Sequence, residues 1–304
     1  MVKIRRSPLF YVGDKYKLLK EIKLYFPKKV RHFIEPFMGG GSVFLNINAS
    51  KYLLNDIDVN IYLLQKFLVR QSKNPKKFFL NVEKLIGEYN LSRSYIEDIV
   101  PNELKAKWKK TYYAKYNKEG FERLRDHFNS NKRKNMVELY LLLIYGFNRM
   151  LRFNSKGFFN VPVGNVDFNQ NTYTALNDYF EFIQDKDIEF FNLDYKDFLE
   201  KIILQKDDFI YLDPPYLITN SEYNKLWSED NEKCLLFLLD YLDKQNIRFA
   251  ISNVVFHKNT NNHIFREWMK NYNFYRIKSN YISYHDNSKK KIEEVLVTNY
   301  EKES

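Results

Sequence analysis

Six short apolar runs punctuate the chain: HFIEPF (32–37), KYLLND (51–56), DIEFFNLD (187–194), DFIYLD (208–213), IRFAISN (247–253) and EEVLVTNY (293–300). Each is four to eight residues long, rich in aromatic or branched side chains and flanked by turn formers, which predicts buried strands. Helical spacing fills several of the gaps, at 15–25, 42–48, 58–70, 196–203 and 231–244. Strands alternating with helices predict an α/β fold, a mostly parallel sheet with helices on both faces. From about 72 to 175 the rhythm changes. Helical patterns at 75–88, 102–117, 119–129 and 133–147 run into the Gly/Asn/Pro-punctuated GFNRMLRFNSKGFFNVPVGN. The organisation expected is a discontinuous α/β domain of residues 1–70 and 176–304, interrupted by a mainly helical insert at 71–175.

Two of the strands end in unusual chemistry. In FIYLDPPYLIT (209–219) two prolines stop the ladder at once, because proline has no N–H to give a sheet, and this leaves Asp213 at the strand end. In open α/β sheets ligands bind outside the carboxyl ends of the strands; an Asp-Pro turn is the alternative reading. The second stretch is IEPFMGGGSVF (34–44), in which Glu35 and Pro36 lead into Gly39, Gly40 and Gly41 and then an apolar run read as a helix. Such a turn lets backbone approach a ligand at a helix N-terminus. The dinucleotide fingerprint fails, since its third glycine would fall at Phe44, and no Gly-Lys-Ser/Thr follows for a phosphate loop. Asp56, closing the next strand, stands where an acidic residue grips a ribose. What remains is an adenosine-bearing ligand that is neither a dinucleotide nor a triphosphate.

Charge narrows the partner. The net charge is +11, but residues 1–69 carry +7, residues 70–160 carry +11 and residues 161–304 carry −7. The basic middle is interleaved with rings, as in KAKWKKTYYAKYNKEGFERLR, which suits a polyanion whose phosphates meet cations and whose bases meet aromatics. At 304 residues and 44% hydrophobic the chain can bury a large core. Cys234 is its single cysteine, which excludes an internal disulfide framework and predicts a reducing, cytoplasmic setting. The longest apolar run, LYLLLIYGF (139–147), is too short to span a bilayer, so no membrane partner is expected. Five histidines and one cysteine show no metal-ligand spacing, and no metal is expected.

Taken in order, FYVGDKYKLL, FIEPFMGGGSVFLN, YLLNDID, YGFNRMLRFNSKGFFNVPVG, YLDPPY, ISN and KKKIEEVLVTNY resemble the Dam-type adenine-specific DNA methyltransferases. The likeness covers most of the chain and is weakest over 72–135. It implies a Rossmann-like methyltransferase sheet with an inserted helical target-recognition domain, S-adenosylmethionine as the methyl donor, no metal, and N6 of adenine in double-stranded DNA as the acceptor. Asp213, Pro214, Pro215 and Tyr216 are then the catalytic corner. Asp213 and the Pro214 carbonyl would accept the amine hydrogens and turn the nitrogen lone pair out of conjugation, while Tyr216 offers a ring for the base to stack on. The donor site implied by the resemblance comprises Tyr11, Lys15, Glu35, Phe37, Gly39, Gly41, Asp56, Asp194, Tyr195 and Asp213. Asp194 is equally suited to capping the helix that follows.

The resemblance also implies base flipping, because the reactive nitrogen is buried in the duplex. Phe147 and Asn148 match the family's segment that braces the gap, although Phe147 in so apolar a run is equally a core residue. Arg152 matches a base-reading arginine able to grip guanine, and Met150 and Pro162 match apolar positions beside thymine methyls. These matches point to GATC. Phe10 departs from a Lys found in some relatives, so the outermost base pair is expected to be read differently or loosely. Lys289, Lys290 and Lys291 are expected either to touch phosphate or to form a solvated tip, and the polar loop 217–230 to order over the flipped base. A single chain reading a short site can act as a monomer; a dimer stays open, as does a cognate restriction endonuclease acting separately. Two other classes were weighed, a catalytically silent DNA-binding relative and a methyltransferase acting on RNA or a protein amide. The intact Tyr11, Lys15, Asp56 and Asp213 argue against the first, and aspartate at 213 with the DNA-reading segment 145–162 against the second.

Overall fold

The computed structural model describes residues 3–132, 134–219, 227–278 and 292–303. Lys289, Lys290, Lys291 and the middle of the 217–230 loop lie outside the described residues. The chain forms two compact units. The first comprises residues 1–14, 39–45 and 58–186, the second residues 15–38, 46–57 and 187–304.

The second unit is built on a mixed sheet. Its strands are β1 (His32–Glu35), β2 (Lys51–Asn55), β3 (Asp187–Phe191), β4 (Phe209–Leu212), β5 (Arg248–His257), β6 (Thr260–Asn261), β7 (Asn273–Ile277) and β8 (Ile292–Thr298). The order is β3-β2-β1-β4-β5-β8-β7, with β6 hairpinned onto β5. The first five strands are parallel, while β8 enters antiparallel between β5 and β7. β4 is apolar and buried at every position, as a strand covered on both faces should be, whereas the edge strand β3 is half-exposed. At the amino ends of β1 and β4, Arg31 donates two 2.9 Å hydrogen bonds to the two oxygens of fully buried Asp208. This bidentate clamp fixes the two strands that matter most for the site.

Helices α8 (Tyr195–Lys201), α9 (Glu229–Lys244) and α10 (His263–Trp268) accompany this sheet. Ser228 and Asn231 close a capping box that starts α9, and Leu235, Leu239 and Leu242 share its buried face with Phe198 and Leu199 of α8. The expected helix at 15–25 is broken into a 3-10 turn (Lys15–Lys17), α1 (Leu19–Ile22) and a second 3-10 turn (Lys23–Tyr25). The apolar helix expected at 42–48 is absent. Only one 3-10 turn, Phe44–Asn46, follows the glycines, because Gly39 and Gly41 adopt φ +51° and +81° and β2 starts again at Lys51. The glycine loop therefore does not present a helix N-terminus. Strand β7 and helix α10 went unassigned from the sequence.

The first unit is helical: α2 (Val59–Gln71), α3 (Pro75–Glu88), α4 (Asn102–Lys107), α5 (Tyr112–Ser130), α6 (Met136–Tyr145) and α7 (Gln170–Ile183). Residues 138–145 of α6 are all buried, so this helix, apolar on every side, is the unit's axis, packed on by α2, α3 and α5. The unit holding 71–175 thus also takes in α2, which packs on both α6 and α7. The boundary expected at 117–119 instead falls at Trp108–Thr111, where the chain leaves helical geometry. No helix among the described residues is long and apolar enough to cross a membrane.

Two glycines separate propensity from packing. A Cβ on Gly120, inside α5, would sit 2.0 Å from the Tyr89 carbonyl oxygen, whereas one on exposed Gly87 of α3 would meet nothing within 4 Å. Gly120→Ala is therefore expected to lose about 2 kcal/mol or more in urea unfolding, through overpacking against backbone. Gly87→Ala is expected to gain up to about 1 kcal/mol, the ordinary helix propensity difference.

Candidate functional site

The sheet changes direction of winding between β1 and β4: β1 continues to β2 on one side and pairs with β4 on the other. At such a switch point the loops leaving the carboxyl ends part and open a crevice. Four chain segments leave the sheet at this edge: Glu35-Pro36-Phe37 after β1, Asp56 after β2, Leu193-Asp194 after β3 and Asp213–Tyr216 after β4. The structure thus brings Glu35, Phe37, Asp56, Asp194, Tyr195 and the 213–216 corner to one edge of one sheet.

Asp213 sits at the centre of a charged cluster. Lys15 Nζ lies 2.7 Å from its Oδ2, and the Tyr216 hydroxyl donates to its Oδ1 at 2.8 Å. The lysine side chain is only 3% exposed. Behind it, Glu294 of β8 places Oε1 3.8 Å from Lys15 Nζ and 3.4 Å from the Tyr216 hydroxyl. Glu294 is 1% exposed, and its Oε2 is buried without a hydrogen-bond partner among the described residues. Burial pushes its carboxyl up to about 6, against the opposing pull of Lys15 and with repulsion from Asp213 adding to the rise. Burial, followed by Asp213, also holds the Tyr216 phenol well above its ordinary range, so it remains a donor. With the Lys15 ammonium 5.1 Å from the Tyr216 ring centroid and the hydroxyl tied to Asp213, that ring is fixed in orientation.

A second group surrounds Tyr195. Its ring lies 5.2 Å from that of Phe37 and 6.0 Å from that of Trp227, and Phe37 and Trp227 are 6.0 Å apart. The Tyr195 hydroxyl is buried with no hydrogen-bond partner among the described residues, and burial raises its phenol above the usual value. Three rings with an unused O–H among them suit a flat heteroaromatic group carrying an acceptor nitrogen. Trp227 is anchored by its indole N–H on buried Glu232, at 2.7 Å, and Glu232 also receives the side-chain amides of Asn253 and Asn262. Asp194 caps α8 by accepting from the Lys196 backbone at 2.9 Å, as its alternative reading foresaw. Asn55, at the end of β2, fixes the edge. Its amide donates to the carbonyls of Pro36 and Leu193, and its carbonyl oxygen accepts from the Leu193 N–H, each at 3.0 Å.

The remaining expected residues belong to the first unit. Tyr11 packs on the glycine loop; a Cβ on Gly40 would approach its side chain to 3.0 Å, and one on Gly39 to 3.7 Å. A Cβ on Gly41 would collide with Phe44 and crowd Gln65, whose side-chain amide donates to the Gly40 carbonyl. Residues 146–163 fold back on themselves. Phe147 N–H donates to the Pro162 carbonyl at 2.8 Å, Asn160 N–H donates to the Arg152 carbonyl at 3.1 Å, and Asn129 of α5 pins Phe159 through two further bonds. At the base of this loop Asn148 and Arg149 both take left-handed φ, +52° and +51°. Phe147 is 50% exposed, so it is not the core residue that its apolar run allowed. Asn148 and Pro162 are also exposed, and Met150 is half-buried. Arg152 is held by Asn160 through Nε (2.9 Å) and Nη2 (3.0 Å), which leaves three of its five N–H donors. Phe10, itself at φ +49°, is met by the guanidinium groups of Arg149 and Arg6, 3.8 and 4.4 Å from its ring centroid.

Sequence reasoning missed Glu294, Glu232, Trp227 and Asn55. The signal for Glu294 was a carboxylate at a core-facing register of the last strand, next to VLV (295–297). The other three carry no local signature, since their roles arise only when separate loops meet.

Residues 11–282 match the D12 class N6 adenine-specific DNA methyltransferase family. The chain is similar to modification methylase StsI of Streptococcus sanguinis, 35% identical over 97% of this chain and 43% of that protein. It is also similar to type II methyltransferase M.FokI of Planomicrobium okeanokoites, 34% identical over the same shares. A DNA adenine methylase of Haemophilus influenzae is 32% identical over 76% of this chain and 71% of its own. The chain therefore spans less than half the length of the first two relatives.

Removing Lys15 tests the cluster. Lys15→Met leaves two carboxylates without their shared cation, expected to cost about 3 kcal/mol at pH 8 in urea unfolding. Glu294's carboxyl is raised by folding, so the folded state holds its proton more tightly than the unfolded chain. Stability from this group falls as pH rises from its ordinary 4.5 through about 6. Without Lys15 that window extends upward, and the deficit of the variant is expected to shrink at pH 5.5.

Proposed function

Because the chain belongs to the D12 class of N6 adenine-specific DNA methyltransferases, we propose that it transfers a methyl group from S-adenosylmethionine to adenine N6 in duplex DNA, with the base flipped from the stack. The observation that carries this reading is the Asp213–Tyr216 corner at the switch point, braced by Lys15.

The residues at the sheet edge fit the donor. Phe37, Tyr195 and Trp227 offer walls for an adenine, and the buried, unused Tyr195 hydroxyl offers a hydrogen bond to one of its ring nitrogens. Asp56 is the acceptor for ribose hydroxyls, and Asp194, though it caps α8 with one oxygen, keeps a second for an amino group. For Tyr11, Glu35, Gly39 and Gly41 the resemblance supplies the cofactor role. When bound, S-adenosylmethionine supplies an electrophilic methyl group on a sulfonium.

The chain's own work is orientation. An exocyclic adenine amine is conjugated with its ring and is a weak nucleophile. Asp213 has lone pairs beyond those engaged by Lys15 and Tyr216, and with the Pro214 carbonyl it accepts the two amine hydrogens, aiming the nitrogen lone pair along one direction. Lys15 holds Asp213 in place through their 2.7 Å ion pair. Pro214 and Pro215 restrict the turn that carries both acceptors, and the fixed Tyr216 ring is the stacking face for the base. Recognition falls to the first unit. Exposed Phe147 braces the gap left by the flipped base, Arg152 offers its three remaining donors to a guanine edge, and Met150 and Pro162 meet thymine methyls. Asn148, beside Phe147, lies within reach of the same step. The lysines and rings of α4 and α5 hold the phosphates. The site follows as GATC or a related short sequence, with Phe10 marking where reading departs. Modification paired with a separate restriction endonuclease is the setting proposed, in the cytoplasm. No metal has a part in this chemistry.

Expression in a host lacking adenine methylation, followed by direct long-read mapping of modified adenines, tests the reading. Wild type is expected to modify adenine in one short motif, and Asp213→Ala to leave it unmodified. Unmodified DNA from the wild type, or full modification by Asp213→Ala, contradicts it. Phe147→Ala is expected to lower methylation of paired duplex at least tenfold while acting far better on a mismatched target adenine, where flipping costs less. Equal loss on both substrates contradicts its role.

A further inference from the structure

Glu294 has no part in the chemistry described so far, yet it sits behind both groups that hold Asp213. Its Oε1 is 3.8 Å from Lys15 Nζ and 3.4 Å from the Tyr216 hydroxyl, and these two groups contact the two oxygens of Asp213. The four side chains come from three parts of the chain: the 3-10 turn at Lys15–Lys17, the turn after β4, and β8, the strand that enters antiparallel. A carboxylate that is 1% exposed, with one oxygen lacking any hydrogen-bond partner, is costly to bury. A hydrophobic residue would serve the sheet better, since Val295, Leu296 and Val297 continue the same strand in the core.

We propose that Glu294 is a positioning residue for methyl transfer: as a carboxylate it holds Lys15 and Tyr216 about Asp213 and shares the charge of Lys15, so that Asp213 stays a strong acceptor for the target amine. This rests on the methyltransferase reading above. With Glu294 ionised, one ammonium serves two carboxylates, and Asp213 keeps excess negative charge to spend on the amine hydrogens. With Glu294 neutral, the charge of Lys15 bears more fully on Asp213. The acceptor is then weakened, and the phenol's second anchor becomes a neutral, weaker acceptor.

Among the described residues, the charged and titratable groups around Glu294 are few. Lys15 faces it from the 3-10 turn, Glu21 from α1, and Asp213 and Tyr216 from the turn after β4. Tyr211 of β4, hydrogen-bonded to Ser252, adjoins Tyr216. Across the strands, Val254 of β5 and Ile277 of β7 stand opposite Glu294 and bring no charge. The neighbouring Glu293 is taken up separately by Arg266 and Arg276. Burial, the larger influence, together with the repulsion of Asp213, lifts the Glu294 carboxyl to about 6 despite Lys15, so its charge changes within the range where an enzyme can be assayed.

The test is a single-turnover assay with enzyme in excess, following tritiated methyl from S-adenosylmethionine into plasmid DNA from a host lacking adenine methylation, between pH 5.5 and 8. The wild-type rate is expected to fall as pH drops through about 6. Glu294→Gln keeps the shape but not the charge. It is expected to run about tenfold to a hundredfold slower at pH 8, with no change of slope near 6, an unaltered dissociation constant for S-adenosylmethionine, and a melting temperature no lower than wild type. Glu294→Asp is expected to recover part of the rate together with the acid limb. The proposal is overturned if Glu294→Gln matches wild type at pH 8, if it retains the limb, or if its whole deficit is weaker donor binding. A wild type that transfers no methyl at any pH would overturn the underlying reading and this proposal with it, an outcome distinct because the wild type itself is silent.

Discussion

A buried ammonium between two carboxylates anchors the carboxyl edge of this sheet. Lys15 enters the protein interior with almost no contact with solvent, and Asp213, at 2.7 Å, offsets much of the cost of burying its charge, with Glu294 at 3.8 Å behind it. The same contact joins the start of the second unit's chain to the end of β4 and to β8. It fixes a strand end, ordinarily a place for any turn, into what the proposed function needs, a rigid pair of acceptors. The prolines after Asp213 act in the same sense, by removing N–H groups and φ freedom from the backbone that carries those acceptors. Catalysis of this kind depends on groups that do not reorganise when the substrate arrives.

The sheet supplies what the cluster needs. Parallel pairing of β1 with β4, clamped by Arg31 and Asp208 at the amino ends, carries registration to the carboxyl ends, where Glu35 and Asp213 emerge from neighbouring strands. Asn55 then does for the loops what the clamp does for the strands, tying Pro36 to Leu193. Glu232 is a comparable buried carboxylate, though one satisfied by three neutral donors, and it holds Trp227 beside Phe37 and Tyr195. Thus one buried acid orders an apolar wall and another orders a charged corner. In the first unit a different device recurs: backbone held at positive φ, at Phe10, Asn148 and Arg149, where cation–π contacts of Arg6 and Arg149 with Phe10 support conformations that these residues seldom adopt.

Much of this was legible in the chain because strand ends announce themselves. Apolar runs of four or five residues that stop at Asp213-Pro214, at Glu35-Pro36 and at Asn55-Asp56 gave the strands, their parallel sense and the edge at which chemistry collects. The helices were harder where propensity and packing disagree. At 42–48 an apolar stretch looked helical, but two left-handed glycines and the short distance to β2 left room for only one 3-10 turn. Helix α7, with Asn, Thr and Tyr in its first turns, carries weak intrinsic preference and is made by burial of Leu176, Tyr179 and Phe180. Glu294, Trp227 and Asn55 were not legible, since each acts through partners far away in sequence. Phe147 stood undecided between core and surface until its exposure was seen.

The central claim is that Asp213 and the Pro214 carbonyl grip the amino group of an extruded adenine. A crystal structure of the protein with duplex DNA and the non-reactive donor analogue sinefungin measures this directly. The account predicts the target adenine outside the helix, stacked on Tyr216, with N6 within about 3 Å of both acceptors. A target base still paired in the duplex, or an extruded base whose amine is held by other groups with Asp213 still closed on Lys15 and Tyr216 alone, would contradict it.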